Sequence, residues 1–246
     1  MSENLQMTCP ELLGNAIEGL YATFSKYPLP DETCPCPCCH SSDVDALLRA
    51  APLRQLEWQH LAEYSTEALM VWGDSDCYKH FLPRIFELIV TNGERYKSPD
   101  REFVLSILHY GEWRTWPEAE QRAIEAFLRA VWETVLRDPQ REERCRDIES
   151  WICAISQPED DLRPYLRQWE NDESHPACFA LSGFLLNSAI TRSKKQGRNE
   201  FWADRDTQYV QLQNWVKSDA VREKLTRASV RWPEVDEFKA AISIAR

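Results

Sequence analysis

Glycine is scarce in this chain, seven among 246 residues. An all-β protein needs glycine for its many turns at positive φ, so the shortage argues against that class. Long apolar runs are missing as well. No window approaches the roughly 18 apolar residues of a membrane span, and Met1–Met7 is polar, without a basic segment leading into an apolar one. A cytoplasmic protein is the expectation from these two absences. Positive charge is in deficit, with 29 Lys and Arg against 40 Asp and Glu and a formal net charge of −11. Phosphate backbones reward Lys and Arg, so nucleic acid is not the expected partner, whereas a basic protein suits this charge. Also absent are a Gly-rich phosphate loop, His-Glu-x-x-His and Gly-x-Ser-x-Gly, and the chain reads as non-enzymatic. The carboxylates Glu159, Asp160 and Asp161 fit the first turn of a helix, where negative charge is favourable.

What is present is helical periodicity. Leu13, Ile17, Leu20, Tyr21 and Phe24 repeat at helical spacing after Pro10, and Ile124, Phe127, Leu128, Val131, Trp132 and Val135 form the strongest stripe, from Pro117 to about Arg137. Further helices are expected after Ser42, over Trp58–Trp72, from Ser75 to Gly93 with a kink or restart at Pro83, and from Ser98 to Gly111. The second half predicts helices at Glu142–Ser156, Glu159–Glu170, Pro176–Ile190, Thr207–Val216 and Asp219–Arg231, with a last one opened by Pro233. That makes an all-α protein of about eleven helices in antiparallel pairs. The expected organisation is one domain over 1–246, with a cysteine-rich loop at 33–41 and a weak subdivision near 192–206. HEAT-like stacking and a compact irregular bundle both fit, since the sequence shows no clean internal period. Arg192, Lys194, Lys195 and Arg198 read as a solvated basic loop. Most of the ten tryptophans sit on or beside apolar stripes, as core residues do.

The most unusual window is Cys34 to His40, where four of the nine cysteines fall within seven residues. An odd number cannot all pair within one chain, and in a reducing compartment thiols or metal ligands are expected instead. The spacing of Cys36 and Cys39 suits a tetrahedral metal, and zinc accepts sulfur and imidazole without redox demand. The ligand set expected for a structural zinc is Cys36, Cys38, Cys39 and His80, with Cys34 and His40 as local alternatives. Cys38 and Cys39 are adjacent, so both bind only with a strained backbone. Cys77 and His80 lie at i and i+3 of one predicted helix. Unliganded cysteines and a thiol-based sensor remain the competing readings of the run. Cys145, Cys153 and Cys178 read as small core residues, and His60, His109 and His175 as structural.

The series Cys36-Pro-Cys-Cys39, Pro52-Leu-Arg-Gln-Leu56, Leu69-Met-Val-Trp-Gly73 and His80-Phe-Leu-Pro-Arg-Ile-Phe-Glu-Leu88 resembles an uncharacterised bacterial helical family without an assigned activity. The resemblance covers about a quarter of the chain and none of it after Gly111. It implies a bacterial, soluble protein and joins the cysteine run to His80 as one unit. The expected function is therefore binding: a bacterial immunity protein that neutralises a basic toxin, such as a nuclease, by direct contact. The alternative is a zinc-stabilised helical scaffold or adaptor. The acidity is uneven, 15 Asp and Glu against 7 Lys and Arg in residues 1–100 and 25 against 22 in the rest. Glu63, Glu67, Asp74 and Asp76 are the candidate contacts, on exposed faces or helix ends, since a field of one sign steers a partner of the other.

Overall fold

The computed structural model describes residues 9–31, 42–70, 74–91, 100–137, 145–192 and 200–245. The protein is all-α. Helices run over Cys9–Phe24 (α1), Ser42–Leu48 (α2), Trp58–Glu67 (α3), Ser75–Thr91 (α4), Arg101–Tyr110 (α5), Glu118–Arg137 (α6), Cys145–Ser156 (α7), Arg163–Asn171 (α8), His175–Asn187 (α9), Ala189–Arg192 (α10), Asp206–Val216 (α11), Asp219–Arg231 (α12) and Asp236–Ile244 (α13). Among the described residues three 3₁₀ turns join them, at Leu53–Gln55, Trp113–Thr115 and Glu200–Trp202, and no strand occurs. None of these helices is long and apolar enough to cross a membrane. The chain divides into two compact units, 1–131 and 132–246, with the boundary inside α6.

In the N-terminal unit α1 packs on α4, and α3 on α2, α4 and α5. The stripe Ile17, Leu20, Tyr21 and Phe24 is buried, as its spacing requires. Helix α4 carries the densest core: Phe81, Leu82, Ile85, Phe86 and Ile89 are buried, and the Phe86 ring meets Phe127 at 5.1 Å. Pro83 lies inside α4 without restarting it. An internal proline costs about 3 kcal/mol and one backbone hydrogen bond. Apolar residues buried on both sides of it hold the helix through that cost. Asp74, rather than Ser75, caps α4, its carboxylate accepting the Cys77 N–H at 2.9 Å. Likewise Asp100 caps α5, accepting from the Phe103 N–H.

Helix α3 stops at Glu67, short of the expected Trp72. Leu69 takes the left-handed conformation (φ 65°), which a bulky side chain adopts only under tertiary constraint. The constraint is Gly111 at the C-cap of α5, where a Cβ would stand 2.6 Å from Leu69 Cδ1. Glycine is required there for close approach. The Trp116 indole N–H donates to the Gly111 carbonyl at 3.0 Å and fixes the same corner.

In the C-terminal unit α9 is the central helix, buried from Ala177 to Leu185 except at Phe179 and packed on α7, α12 and α13. Trp169 of α8 meets Trp132 (5.5 Å), Phe184 (5.6 Å) and Trp215 (5.1 Å), and its indole N–H donates to the Ala177 carbonyl. Lys224 of α12 is fully buried, and its ammonium donates to the Asp172 carbonyl at the C-cap of α8. A cation is favourable at that end of a helix. Burial pushes the Cys178 thiol up, against the pull of Lys224. Cys153 and Cys178 are buried core residues, as their stripes indicate. The side chains of Cys145, Arg192, Lys194, Lys195 and Arg198 lie outside the description.

The carboxylates Glu159, Asp160 and Asp161 precede α8 and do not form its first turn. Asp161 accepts from the Arg163 backbone N–H and guanidinium, a local turn that delays the helix to Arg163. Glu159 is buried and accepts from the Tyr165 hydroxyl at 2.8 Å. The last helix opens at Asp236 rather than at Pro233.

Candidate functional site

Cys36, Cys38 and Cys39 fall outside the described residues, as do Cys34 and His40. His80, the remaining expected ligand, is described, and so are the flanks of the run. On one flank the chain leaves α1, passes Tyr27 and reaches Pro30 and Asp31. The Arg49 guanidinium, just after α2, donates to both of those carbonyls at 2.7 Å. On the other flank Ser42 begins α2. Arg49 also pairs with Asp45 at 2.8 Å and acts electrostatically on Cys77 of α4. Both ends of the run are thus tied to α2, with α4 beside them.

His80 is half-buried on α4. Its Nδ1 lies 2.8 Å from the Tyr27 carbonyl oxygen, and its ring stands edge-on to Phe81 at 4.7 Å. A carbonyl only accepts, so Nδ1 carries a proton; in the neutral form of the ring the lone pair is then on Nε2. The neighbouring thiol differs. Cys77 is buried, takes a hydrogen bond from the Tyr64 hydroxyl at 3.4 Å, and burial pushes its thiol up to about 11. A thiol so placed is an inert core group. Cys77 and His80 therefore do not act as a pair despite their i, i+3 spacing. Among the described residues no group of three or more His, Cys, Asp and Glu could hold a metal ion.

Tyr27 joins His80 to a buried ionic cluster. Its phenol donates to Glu120 Oε1 at 2.6 Å, and Lys26 Nζ lies 2.6 Å from the same oxygen. Lys79 Nζ stands 3.0 Å from Glu120 Oε2, within ion-pair range but out of line for a hydrogen bond. Lys79 also donates to the Tyr27 hydroxyl at 3.2 Å and sits 4.4 Å from the centre of the Trp116 ring. Glu120 is fully buried and Lys79 nearly so. Burial alone would raise the Glu120 pKa, but hydrogen bonds from Lys26 and Tyr27, with the positive charge of Lys79 beside it, hold it below its ordinary value. Burial and the Glu120 carboxylate push the Tyr27 phenol well up.

The acidic candidates gather at the junction of α3 and α4. Glu63 lies on α3 and is exposed, Glu67 ends that helix and is half-buried, and Asp74 and Asp76 begin α4 and are exposed. Between them Met70 is 45% exposed. Several other carboxylates of this unit are matched: Glu18 forks onto Arg54, Glu118 meets Arg122 and Glu125 meets Arg114. Glu63, Asp74 and Asp76 make no ion pair among the described residues.

Sequence reasoning missed Tyr27, Glu120, Lys79 and Arg49. Glu120 reads as one more acid in the first turn of a helix, and nothing local marks it as buried. His60, assigned no partner from sequence, accepts the Glu57 backbone N–H on Nδ1 at 2.8 Å and closes the start of α3. The chain matches no protein-family model, no curated protein and no solved structure.

Proposed function

We propose that the chain acts by binding, as a bacterial immunity protein that neutralises a basic toxin of the nuclease kind. The observation that carries this is the α3–α4 junction, where the exposed carboxylates Glu63, Asp74 and Asp76 have no ion-pair partner among the described residues and Met70 is exposed. Unmatched charge of one sign favours a partner of the other sign and accelerates encounter. Methionine is adaptable at contact surfaces. The test is neutralisation in cells. A basic protein captured by this chain is produced alone and together with it in the host bacterium. Growth arrest by the first and recovery with the second are expected. A captured partner that is harmless, or whose harm the chain does not relieve, rejects the immunity reading.

A second reading has its own observation. The Tyr27 carbonyl fixes His80 in the tautomer that leaves Nε2 able to ligate, which suits a zinc-stabilised scaffold. Thiolates of Cys36, Cys38 and Cys39 would complete the site, and zinc would staple the run to α4. Purified protein is then expected to carry about one equivalent of zinc by elemental analysis. Cys36→Ser or Cys39→Ser is expected to release the metal and lower Tm, because metal-binding energy is folding energy. Metal-free protein, or an unchanged Tm in those variants, rejects zinc.

A further inference from the structure

Three large apolar side chains are exposed among the described residues of the N-terminal unit: Leu47, Met70 and Tyr110. Two of them stand at one corner. Met70 follows Leu69 and Tyr110 precedes Gly111, and Leu69 and Gly111 are the pair packed too closely for a Cβ between them. Met70 and Tyr110 are thus each one residue from the same contact. Tyr110 is 58% exposed, and neither its ring nor its hydroxyl has a partner among the described residues.

The corner is held stiffly. Leu69 (φ 65°) and Glu112 (φ 49°) are the non-glycine residues at positive φ among those described, and both adjoin this contact. Such a conformation is kept only where the surroundings over-determine it. The Trp116 indole N–H clamps the Gly111 carbonyl between them. Side chains on a backbone so fixed lose little freedom on binding, which suits a contact anchor.

Negative charge borders the pair. Glu112 is exposed and makes no ion pair among the described residues, and Arg114, two residues on, is taken up by Glu125 and the Trp113 ring. Glu63, Asp74 and Asp76 are likewise unpaired at the adjoining α3–α4 junction. Protein contact surfaces are enriched in tyrosine and methionine at the centre and polar at the rim.

We propose that Met70 and Tyr110 form the apolar centre of the acidic contact surface, and that the partner places there an aliphatic side chain ringed by Lys and Arg. The inference rests on the binding reading above. It adds the α5 corner to the α3–α4 junction and names the chemistry of the partner's contact segment.

The test uses the full-length protein with ¹³C-labelled methionine methyls and two synthetic peptides of equal charge, Lys-Lys-Leu-Lys-Lys and Lys-Lys-Ser-Lys-Lys. Methionine occurs at three positions, so the Met70 methyl is assigned by its loss in Met70→Leu. Both peptides are expected to bind, the leucine peptide about fivefold more tightly, as partial burial of one leucine side chain allows. Its methyl protons should show a nuclear Overhauser effect to the Met70 methyl. Tyr110→Ala should bring the leucine peptide down to the affinity of the serine peptide and leave the latter unchanged. Glu112→Gln should weaken both about twofold, as loss of an exposed charge pair does. Val230→Ala, an exposed apolar residue of the other unit, should alter neither affinity.

Equal affinity of wild type for the two peptides overturns the proposal, as does a leucine preference that survives Tyr110→Ala or binding of neither peptide. If that preference is missing but Glu63→Lys, Asp76→Lys still weakens both peptides, the acidic face stands and only its apolar centre is rejected. Peptide binding indifferent to Glu63→Lys, Asp76→Lys and to Glu112→Gln counts against the acidic face itself.

Discussion

Trp169→Ala is expected to destabilise the C-terminal unit by about 4 kcal/mol, the largest loss from any single truncation proposed. The indole is fully buried between the rings of Trp132, Phe184 and Trp215. Its removal leaves a cavity that three large rings cannot collapse into without leaving their own positions. It also strips the Ala177 carbonyl, at the start of α9, of its indole donor. Chemical denaturation followed by tryptophan fluorescence and by circular dichroism measures the loss. The surface control is Val230→Ala, a side chain 77% exposed, which should shift stability by less than about 0.5 kcal/mol. Equal effects of the two would mean that the ring cluster is not a core.

Glu120→Gln is expected to cost about 3 kcal/mol in the N-terminal unit, because it leaves a buried ammonium without its counter-charge. Lys26 can turn to water, being exposed, but Lys79 cannot. The double variant Glu120→Leu, Lys79→Met should recover much of the loss, since replacing both partners by apolar groups leaves no buried charge. The pH dependence has a definite sign. The Glu120 pKa is held below its ordinary value of 4.5, so its contribution to stability is present above that value. It is lost as pH falls through the lower folded-state pKa. Wild-type stability should fall on acidification across that window, and Glu120→Gln should fall less steeply. A variant as stable as wild type at neutral pH, with the same acid profile, would contradict the ionised cluster.

The helical fold was largely legible, because amphipathic spacing depends on local sequence. Ile17, Leu20, Tyr21 and Phe24 are buried as their stripe requires, and every residue named in the α6 stripe is buried. Ends were harder to place. Ser75 and Asp74 are both competent caps, and only the phase of α4 decides that Asp74 meets the Cys77 N–H. The early end of α3 depends on Leu69 meeting Gly111 across more than forty residues, which no local pattern encodes. Glu120 went unmarked in the sequence for the same reason. Its local signature is that of a solvent-facing first-turn acid, and its burial comes from Lys26, Tyr27 and Lys79 arriving from two other segments. Of the candidate site, the sequence singled out His80 and the exposed carboxylates. It could not tell Cys77 from a ligand, since spacing says nothing of which side chain enters the core.

Asp74 constrains how the binding surface is tested. It caps α4, so Asp74→Lys would disturb the helix as well as the charge, whereas Asp74→Asn keeps the cap. Reversal is therefore best made at Glu63 and Asp76, which carry no such duty among the described residues. The decisive measurement is the association rate of the captured partner with immobilised protein across a salt series, by surface plasmon resonance. Wild type should associate more slowly as salt rises, and Glu63→Lys, Asp76→Lys should associate slowly throughout with a flattened salt response and little change in dissociation. Association indifferent to both salt and reversal would contradict an acidic face that recruits a basic partner.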